Sequence, residues 1–303
     1  MLNFCKIVRQ EVRDLDKSPM LREEMDMPDP LFPMKIHRNR FGKSGQTTFP
    51  NHWHAHLEFI HVMEGEARFT CNAEQYDAKP GDIFVFNSTD LHYGITLSEN
   101  VFYYAIIIDP VLLHSRTVDA VETKYIAPIA SSRLRFANKV SDDPLVRESL
   151  TSLIEEFFGE AFGYELAVKS WIYRLLTALL RHHVAVQFSH EEYSSRLRKL
   201  ERIDPVLRHI EEHYSRKLSV EELAAVAKMS RYHFGRTFKE LTDRSVTDYI
   251  NFVRVNRSEF DLRHSDKTIT EIALTHGFHD VYYFSRLFKS YKGVPPTALR
   301  KTN

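Results

Sequence analysis

The chain has 303 residues, enough for two or three compact units at the usual domain size. Hydrophobic residues make up 43% and charged residues 27%, which excludes collagen-like, fibrous and disordered chains. The 41 Lys and Arg balance 41 Asp and Glu, but unevenly: from residue 196 to the end there are 21 basic and 14 acidic residues, leaving 20 and 27 before it. The C-terminal third is therefore expected to meet a polyanion and the rest is not. The start, MLNFCKIVRQEVRDLDK, interleaves charges and holds no apolar stretch of signal-peptide length. The apolar run 101–113 is cut by Asp109 and Pro110. Only Cys5 and Cys71 are present, which fits a reducing compartment. A cytoplasmic protein with no membrane partner is expected.

Residues 1–30 read as a lead-in, and Pro28, Pro30 and Pro33 favour extended chain at its end. Over 31–115, short runs rich in Val, Ile, Phe and Tyr (57–62, 67–71, 82–86 and 101–108) alternate with turn signals at Gly65 and Pro80-Gly81-Asp82. This pattern predicts an antiparallel sandwich or small barrel. The period then changes. Leu145, Val146, Leu150, Leu153, Ile154, Phe157 and Phe158 recur at helical spacing. So do Leu166, Val168, Trp171, Ile172, Leu175, Leu176 and Leu179, beyond Gly159 and Gly163. A helical pair is expected within 140–190, packed on the barrel or on a second copy. Trp171 falls in the core of that pair or at a dimer seam, the seam being favoured because its helix is apolar on more than one side. The polar stretch 190–196 reads as a linker. Residues 200–303 read as short helices, one started by Asp204-Pro205 as N-cap and N1, another by Ser219 with Glu222 as a capping box.

Phe234-Gly235-Arg236-Thr237-Phe238-Lys239 returns fifty positions later as Phe284-Ser285-Arg286-Leu287-Phe288-Lys289. Each copy falls on the second helix of a helix-turn-helix pattern, about 219–241 and 268–291. In each, two phenylalanines four apart share a face and anchor the helix in its core. Tyr232, Gly235, Arg236 and Lys239 then turn outward, as do Tyr282, Ser285, Arg286 and Lys289. A helix in the major groove can offer guanidinium to guanine and Lys to phosphate. Two such helices, held apart by a rigid helix over 246–263, would enter successive grooves of duplex DNA. A solvated face is the plain alternative for any one of these cations, and the duplication together with the local positive charge argues against it.

This segment closely resembles the DNA-binding domain of AraC/XylS-type transcription regulators. The motifs that carry the likeness are Ile269-Thr270-Glu271-Ile272-Ala273, Gly277-Phe278, Tyr283 to Lys289, and Gly293-Val294-Pro295-Pro296. The resemblance implies base-facing roles for Tyr232, Gly235 and Arg236, and for Val281, Tyr282, Ser285 and Arg286. Lys228 stands where the tight turn usually has Gly, and Asp243 where the second copy has Gly293. The first unit is therefore expected to be locally strained. With no side chain at Gly235, it reads through Tyr232 and Arg236.

His52-Trp53-His54-Ala55-His56-Leu57-Glu58, followed by Gly65, spells H-x-H-x3-E-x6-G. Strand periodicity puts His52, His54, His56 and Glu58 on one face. With Gly81-Asp82 and His92 downstream, the segment resembles the cupin barrel, although Asn87 and Thr89 replace the usual Pro and Gly of the second motif. The resemblance implies that His52, His54, Glu58 and His92 converge. Three imidazoles and a carboxylate suit Zn, Ni, Mn or Fe(II). The other reading is an organic effector pocket without an ion, lined by His54, Glu58, Arg68, His92 and Tyr104, with Phe84, Phe86 and Tyr93 as weaker candidates. His182, His183 and His190 are expected on the surface, and His233 and His279 beside the recognition helices.

The expected architecture is α+β in two domains: a cupin-like barrel (double-stranded β-helix) with a helical pair, then an all-α domain with two helix-turn-helix units. The expected function is a sequence-specific transcription regulator with promoter DNA and a small-molecule effector as partners, and RNA polymerase and a second copy as further ones. The resemblance implies a sugar or sugar derivative as effector. No catalytic residue and no required cofactor are expected, a divalent metal in the barrel being the one candidate. The competing expectation is a metal-dependent cupin enzyme with an attached helical domain.

Overall fold

The computed structural model describes residue 23 and residues 25–72, 74–114, 119–242 and 244–300. Cys5, most of the lead-in, Asp243 and the side chain of His190 lie outside the described residues. Two antiparallel sheets stack face to face. The first runs in the order β1 (Met34–Phe41), β8 (Val101–Ile108), β3 (Leu57–Glu64), β6 (Ile83–Phe86), β10 (Lys139–Val140). The second runs β2 (Thr47–His52), β7 (His92–Thr96), β4 (Ala67–Cys71), β5 (Glu74–Ala78).

Residue alternation divides the five-stranded sheet cleanly. Ile60, Phe84, Phe86, Tyr103 and Ala105 face the space between the sheets with Phe49 and Phe69. Their neighbours Phe59, Ile83, Val85, Ile106 and Ile108 face the other way, onto α2 (Pro144–Gly159) and α3 (Tyr164–His182). Strands buried on both faces read as continuous apolar runs, which is why β3, β6 and β8 stand out in the sequence. β1 (MKIHRNRF) does not, because its cations lie over aromatic rings, Arg38 over Phe158 and Arg40 over Phe102. Asp143 caps α2 by accepting from the Leu145 and Val146 amides. Trp171 is half-buried against the core of the helical pair. The short helix α1 (Ala127–Ala130) and the pair β9 (Leu134–Phe136) and β11 (Val184–Gln187) complete this half.

The C-terminal half comprises α4 (His190–His213), α5 (Val220–Val226), α6 (Arg231–Thr242), α7 (Val246–His264), α8 (Ile269–Thr275), α9 (Val281–Lys292) and α10 (Pro296–Leu299). Here two expectations are corrected. The stretch 190–196 is not an irregular linker, and Asp204-Pro205 does not start a helix. One helix runs through both, begun by a reciprocal capping box between Ser189 and Glu192, with Pro205 inside it. The box satisfies the first-turn amides well upstream. Proline removes one helical hydrogen bond, a penalty that the burial of Ile203, Val206, Leu207 and Ile210 offsets. The capping box expected at Ser219 is half-formed. Ser219 accepts from the Glu222 amide, while the Glu222 side chain turns to Arg216 and His209.

Helix α7 serves two cores. Its first half packs with Phe234, Phe238, Leu223 and Ala224, and its second half with Phe284, Phe288, Ile272 and Ala273. Each of these four phenylalanines is fully buried, and truncating one would cost about 3–5 kcal/mol. The outer face of the four-stranded sheet joins the first of these cores through Leu91, Tyr93 and Ile95. That sheet thus has the barrel interior on one side and the helix-turn-helix units on the other.

Candidate nucleic-acid interface and histidine centre

The recognition helices α6 and α9 bury their phenylalanines and expose the opposite stripe. Tyr232 is 83% and Tyr282 85% exposed, far above what an aromatic ring in a monomer's core shows. Arg236, Lys239, Arg286 and Lys289 are exposed too, and among the described residues none has an ion-pair partner; the Arg286 guanidinium lies over the Tyr283 ring. Gly235 and Ser285 are half-buried on the same faces, and nothing lies within 4 Å of where a Gly235 Cβ would stand. Val281 opens α9, whose N-cap Asp280 accepts from the Tyr282 and Tyr283 amides. The tight turns match: the Lys228 amide donates to the Ala225 carbonyl and the Gly277 amide to that of Leu274. Lys228 does take the left-handed conformation, φ 52° against 80° at Gly277. His233 and His279 are exposed beside the two helices.

The histidine centre draws on both sheets. His52 ends β2, His92 begins β7 directly opposite it, and Glu58 lies on β3. All are buried, with His54 between them, and one donor atom from each of the four falls within 4.8 Å of the others. His56 does not join, because the strand breaks at 53–56; its Nε2 meets the Asp109 carboxylate at 3.5 Å. Strict two-residue alternation over 52–58 is therefore corrected, though three of its four members do converge.

Each imidazole of the cluster is oriented by a backbone carbonyl at Nδ1: Pro50 for His52 (2.8 Å), His56 for His54 (3.2 Å) and Asp90 for His92 (2.8 Å). A carbonyl only accepts, so each Nδ1 carries the hydrogen and each Nε2 points into the cluster. Nε2 of His54 and of His92 meets Glu58 Oε2 at 3.0 and 3.2 Å. Those are two facing acceptors unless a proton or a cation lies between them. Burial would raise the Glu58 carboxyl, but His54 and His92, which can donate to it from Nε2 once protonated, outweigh burial and hold it well below the usual range. Burial, with His92 alongside, pushes His52 down to about 4 against the pull of Glu23. Three nitrogens and a carboxylate, each nitrogen braced from behind, form a donor set that fits a divalent transition metal.

Two positioning residues carried no signal in the sequence. Glu23 brings its carboxylate to 2.9 Å from His52 Nε2, and its amide donates to the Trp53 carbonyl. Asp90, fully buried, accepts from Asn72, Asn87, Asn138 and Arg135, and so fixes the turn that presents His92. In that turn Thr89, at the place of the usual Gly, takes φ 69°. The other pocket candidates separate. Phe86 stacks on His92 at 4.4 Å and Phe84 stands in the same core. Arg68 instead pairs with Asp77 on the barrel's outside, Tyr104 packs toward the helical pair beside Phe158, and Tyr93 faces the C-terminal half; none reaches the cluster. His182 is exposed, whereas His183 is half-buried and paired with Asp143 at 2.9 Å.

Comparison with known proteins agrees with this division. Residues 41–176 match the family model described as an AraC-like ligand binding domain, and residues 223–302 one described as a helix-turn-helix domain. The chain is a DNA-binding transcription regulator of the AraC type. It is 23% identical over 308 residues, the full length of both chains, to the uncharacterized HTH-type transcriptional regulator YdeC of Bacillus subtilis. It is 25% identical to the HTH-type transcriptional activator RhaS of Mannheimia succiniciproducens, over 85% of this chain and 91% of that one. Among solved structures it is similar to ToxT from Vibrio cholerae, at 15% identity and a TM-score of 0.45, covering 88% and 97% of the two chains. Among the described residues, no helix is long and apolar enough to cross a membrane.

Proposed function

We propose that the chain binds promoter DNA through Tyr232, Gly235, Arg236 and Lys239 of α6 and Val281, Tyr282, Ser285, Arg286 and Lys289 of α9, and that its barrel senses a divalent metal ion. The DNA reading is carried by the exposed tyrosine and cation stripe that recurs on both recognition helices. Arg286 reads a base and Lys239 and Lys289 hold phosphates. Anisotropy titrations on a duplex selected by the protein from random sequence test this. Affinity should fall steeply between 50 and 200 mM salt, since phosphate contacts release counterions. Arg286→Ala should cost about 1–3 kcal/mol and relax selectivity at one base position. Equal loss on every sequence would reassign Arg286 to the backbone.

The metal reading is carried by the convergence of one donor atom each from His52, His54, Glu58 and His92 within 4.8 Å, with Nε2 of His54 and of His92 meeting Glu58. It is preferred to the sugar expectation because aromatic rings press directly on the imidazoles: Phe86 on His92, and Phe49 on His52 and His92 at 5.8 and 5.5 Å. That space suits an ion. When bound, a metal would supply a charge that draws β2, β3 and β7 together; His52, His54, Glu58 and His92 would hold it. Metal analysis of protein purified without a nickel column, beside His54→Ala, is the test. Stoichiometric metal lost in the variant supports the reading, and a metal-free wild type that is stabilised thermally by sugars sinks it. We also propose a homodimer seated on the exposed Leu166 of α3, with Trp171 behind it, and sedimentation of Leu166→Glu against wild type tests that.

A further inference from the structure

The four-stranded sheet touches the histidine centre on one face and both helix-turn-helix units on the other, and adjacent residues of its strands do the two jobs. On β7, His92 points into the cluster and the next residue, Tyr93, points out, its ring 4.9 Å from that of Phe252 on α7. On β2, His52 points in, while Asn51 beside it donates to the Tyr249 hydroxyl at 3.1 Å. Trp53 Nε1 donates to Asp204 of α4 at 3.3 Å. These contacts hold the first helix-turn-helix unit.

The other end of β2 holds the second unit. Lys292, the last residue of recognition helix α9, is 1% exposed, although a lysine is almost never fully buried without a partner. Its Nζ donates to Thr47 Oγ1 (2.6 Å), to the Tyr93 hydroxyl (3.0 Å) and to Glu259 Oε2 (2.8 Å). Thr47 Oγ1 donates in turn to Glu259 Oε2 (2.7 Å), and Tyr93 to Asn256 Oδ1 (3.2 Å). All three ammonium hydrogens have an acceptor, two of them on the barrel. Gly45 lies so close beneath that a Cβ there would stand 2.6 Å from Val294.

We propose that the β2–β7 pair is a coupling plate. Occupancy of the histidine centre moves His52 and His92, and the latch of Lys292 with Thr47, Tyr93 and Glu259 passes that movement to the second recognition helix. Tyr232 and Arg236 of α6 and Tyr282 and Arg286 of α9 stay exposed while this contact is made, so the latch sets the placement of one helix-turn-helix unit against the other and covers neither stripe. The inference rests on the barrel's being a sensor, and by linkage it is reciprocal: DNA binding must change affinity at the histidine centre by the same factor. What the latch passes on cannot exceed the difference in its own stability between the two states.

A mutant cycle on DNA affinity tests this without reference to any ligand. His52→Ala, Lys292→Met and the double variant are titrated with the selected duplex by anisotropy, and Tyr93→Phe, which removes one hydroxyl, replaces Lys292→Met if that variant unfolds near the assay temperature. The single effects should miss the double by at least fivefold; additivity within twofold overturns the proposal. The second arm adds Zn2+ alone. In wild type it should shift DNA affinity at least fivefold, and in Tyr93→Phe it should still bind while the shift shrinks. Zinc that binds wild type without altering DNA affinity also overturns the proposal. Zinc that does not bind removes the metal reading, and the cycle then decides the coupling by itself.

Discussion

Lys228 and Gly277 occupy the same place in the two tight turns, and both have positive φ. For a residue with a Cβ that conformation costs about 1–2 kcal/mol, while glycine surrenders about 0.5–1 kcal/mol of chain entropy. Lys228 is exposed, and its side chain has no hydrogen bond or ion pair among the described residues. Lys228→Gly should therefore raise stability by about 0.5–1 kcal/mol, read as a higher urea midpoint at unchanged slope. Gly277→Ala differs, because besides its φ a Cβ there would stand 2.6 Å from the Ser215 carbonyl oxygen. It should cost about 2 kcal/mol or more, since a backbone atom cannot step aside as a side chain can. Gly235 separates stability from function. In an ordinary helical conformation facing open space, Gly235→Ala should stabilise α6 by up to about 1 kcal/mol. If the backbone must approach the groove there, the same change weakens DNA binding; unaltered affinity would remove Gly235 from the interface.

At the scale of elements, what could be read in the sequence follows from what each element touches. Helices α5, α6, α8 and α9 announce themselves because each buries one stripe against its own unit, and the repeat doubles the signal. Strands β2 and β7 were invisible as strands. Their residues face histidines on one side and another domain on the other, so TTFPNH and HYGIT show neither alternation nor an apolar run. β5 (EQYDA) is an exposed edge whose polarity hides it. The cluster residues were legible through their spacing, but Glu23 and Asp90 were not, since their partners lie far away along the chain or in loops. Gly94 of β7 shows how closely the hidden pair fits. A Cβ there would stand 2.2 Å from Thr48 Oγ1 and 2.9 Å from the Phe49 ring. Gly94→Ala must push β2 away from β7 and so part His52 from His92. The expected outcome is a fall of about 2 kcal/mol in stability together with loss of the metal proposed for the centre. Wild-type metal content in that variant would show that His52 is dispensable to the centre.

At the scale of the whole molecule, the barrel and the DNA-binding half share an ionic contact whose pH response can be worked out. Burial would raise the Glu259 carboxyl, but the charges of Lys292 and Arg263 outweigh it and hold it at about 2. Burial would lower the Lys292 ammonium, and Glu259, with Tyr93, outweighs that and raises it. An unfolded Glu titrates near 4.3 and an unfolded Lys near 10.4. A carboxyl depressed on folding contributes fully above its unfolded value, and that contribution drains away as pH falls from about 4.3 through 2. A lysine raised on folding contributes fully below about 10.4, and its share is lost only as pH climbs through the still higher folded value. The contact is therefore flat across the neutral range and fails first in acid. Glu259→Gln, which leaves Lys292 buried without a counter-charge, should cost about 3–5 kcal/mol near pH 7. The gap between wild type and variant in urea midpoint should stay constant from about pH 5 to 7 and close progressively below about 4.3. It also narrows in alkali, where the unpaired Lys292 of the variant sheds its proton. A gap that already narrows between pH 7 and 6 would mean that a histidine, and not the Glu259 carboxyl, governs the union of the two halves.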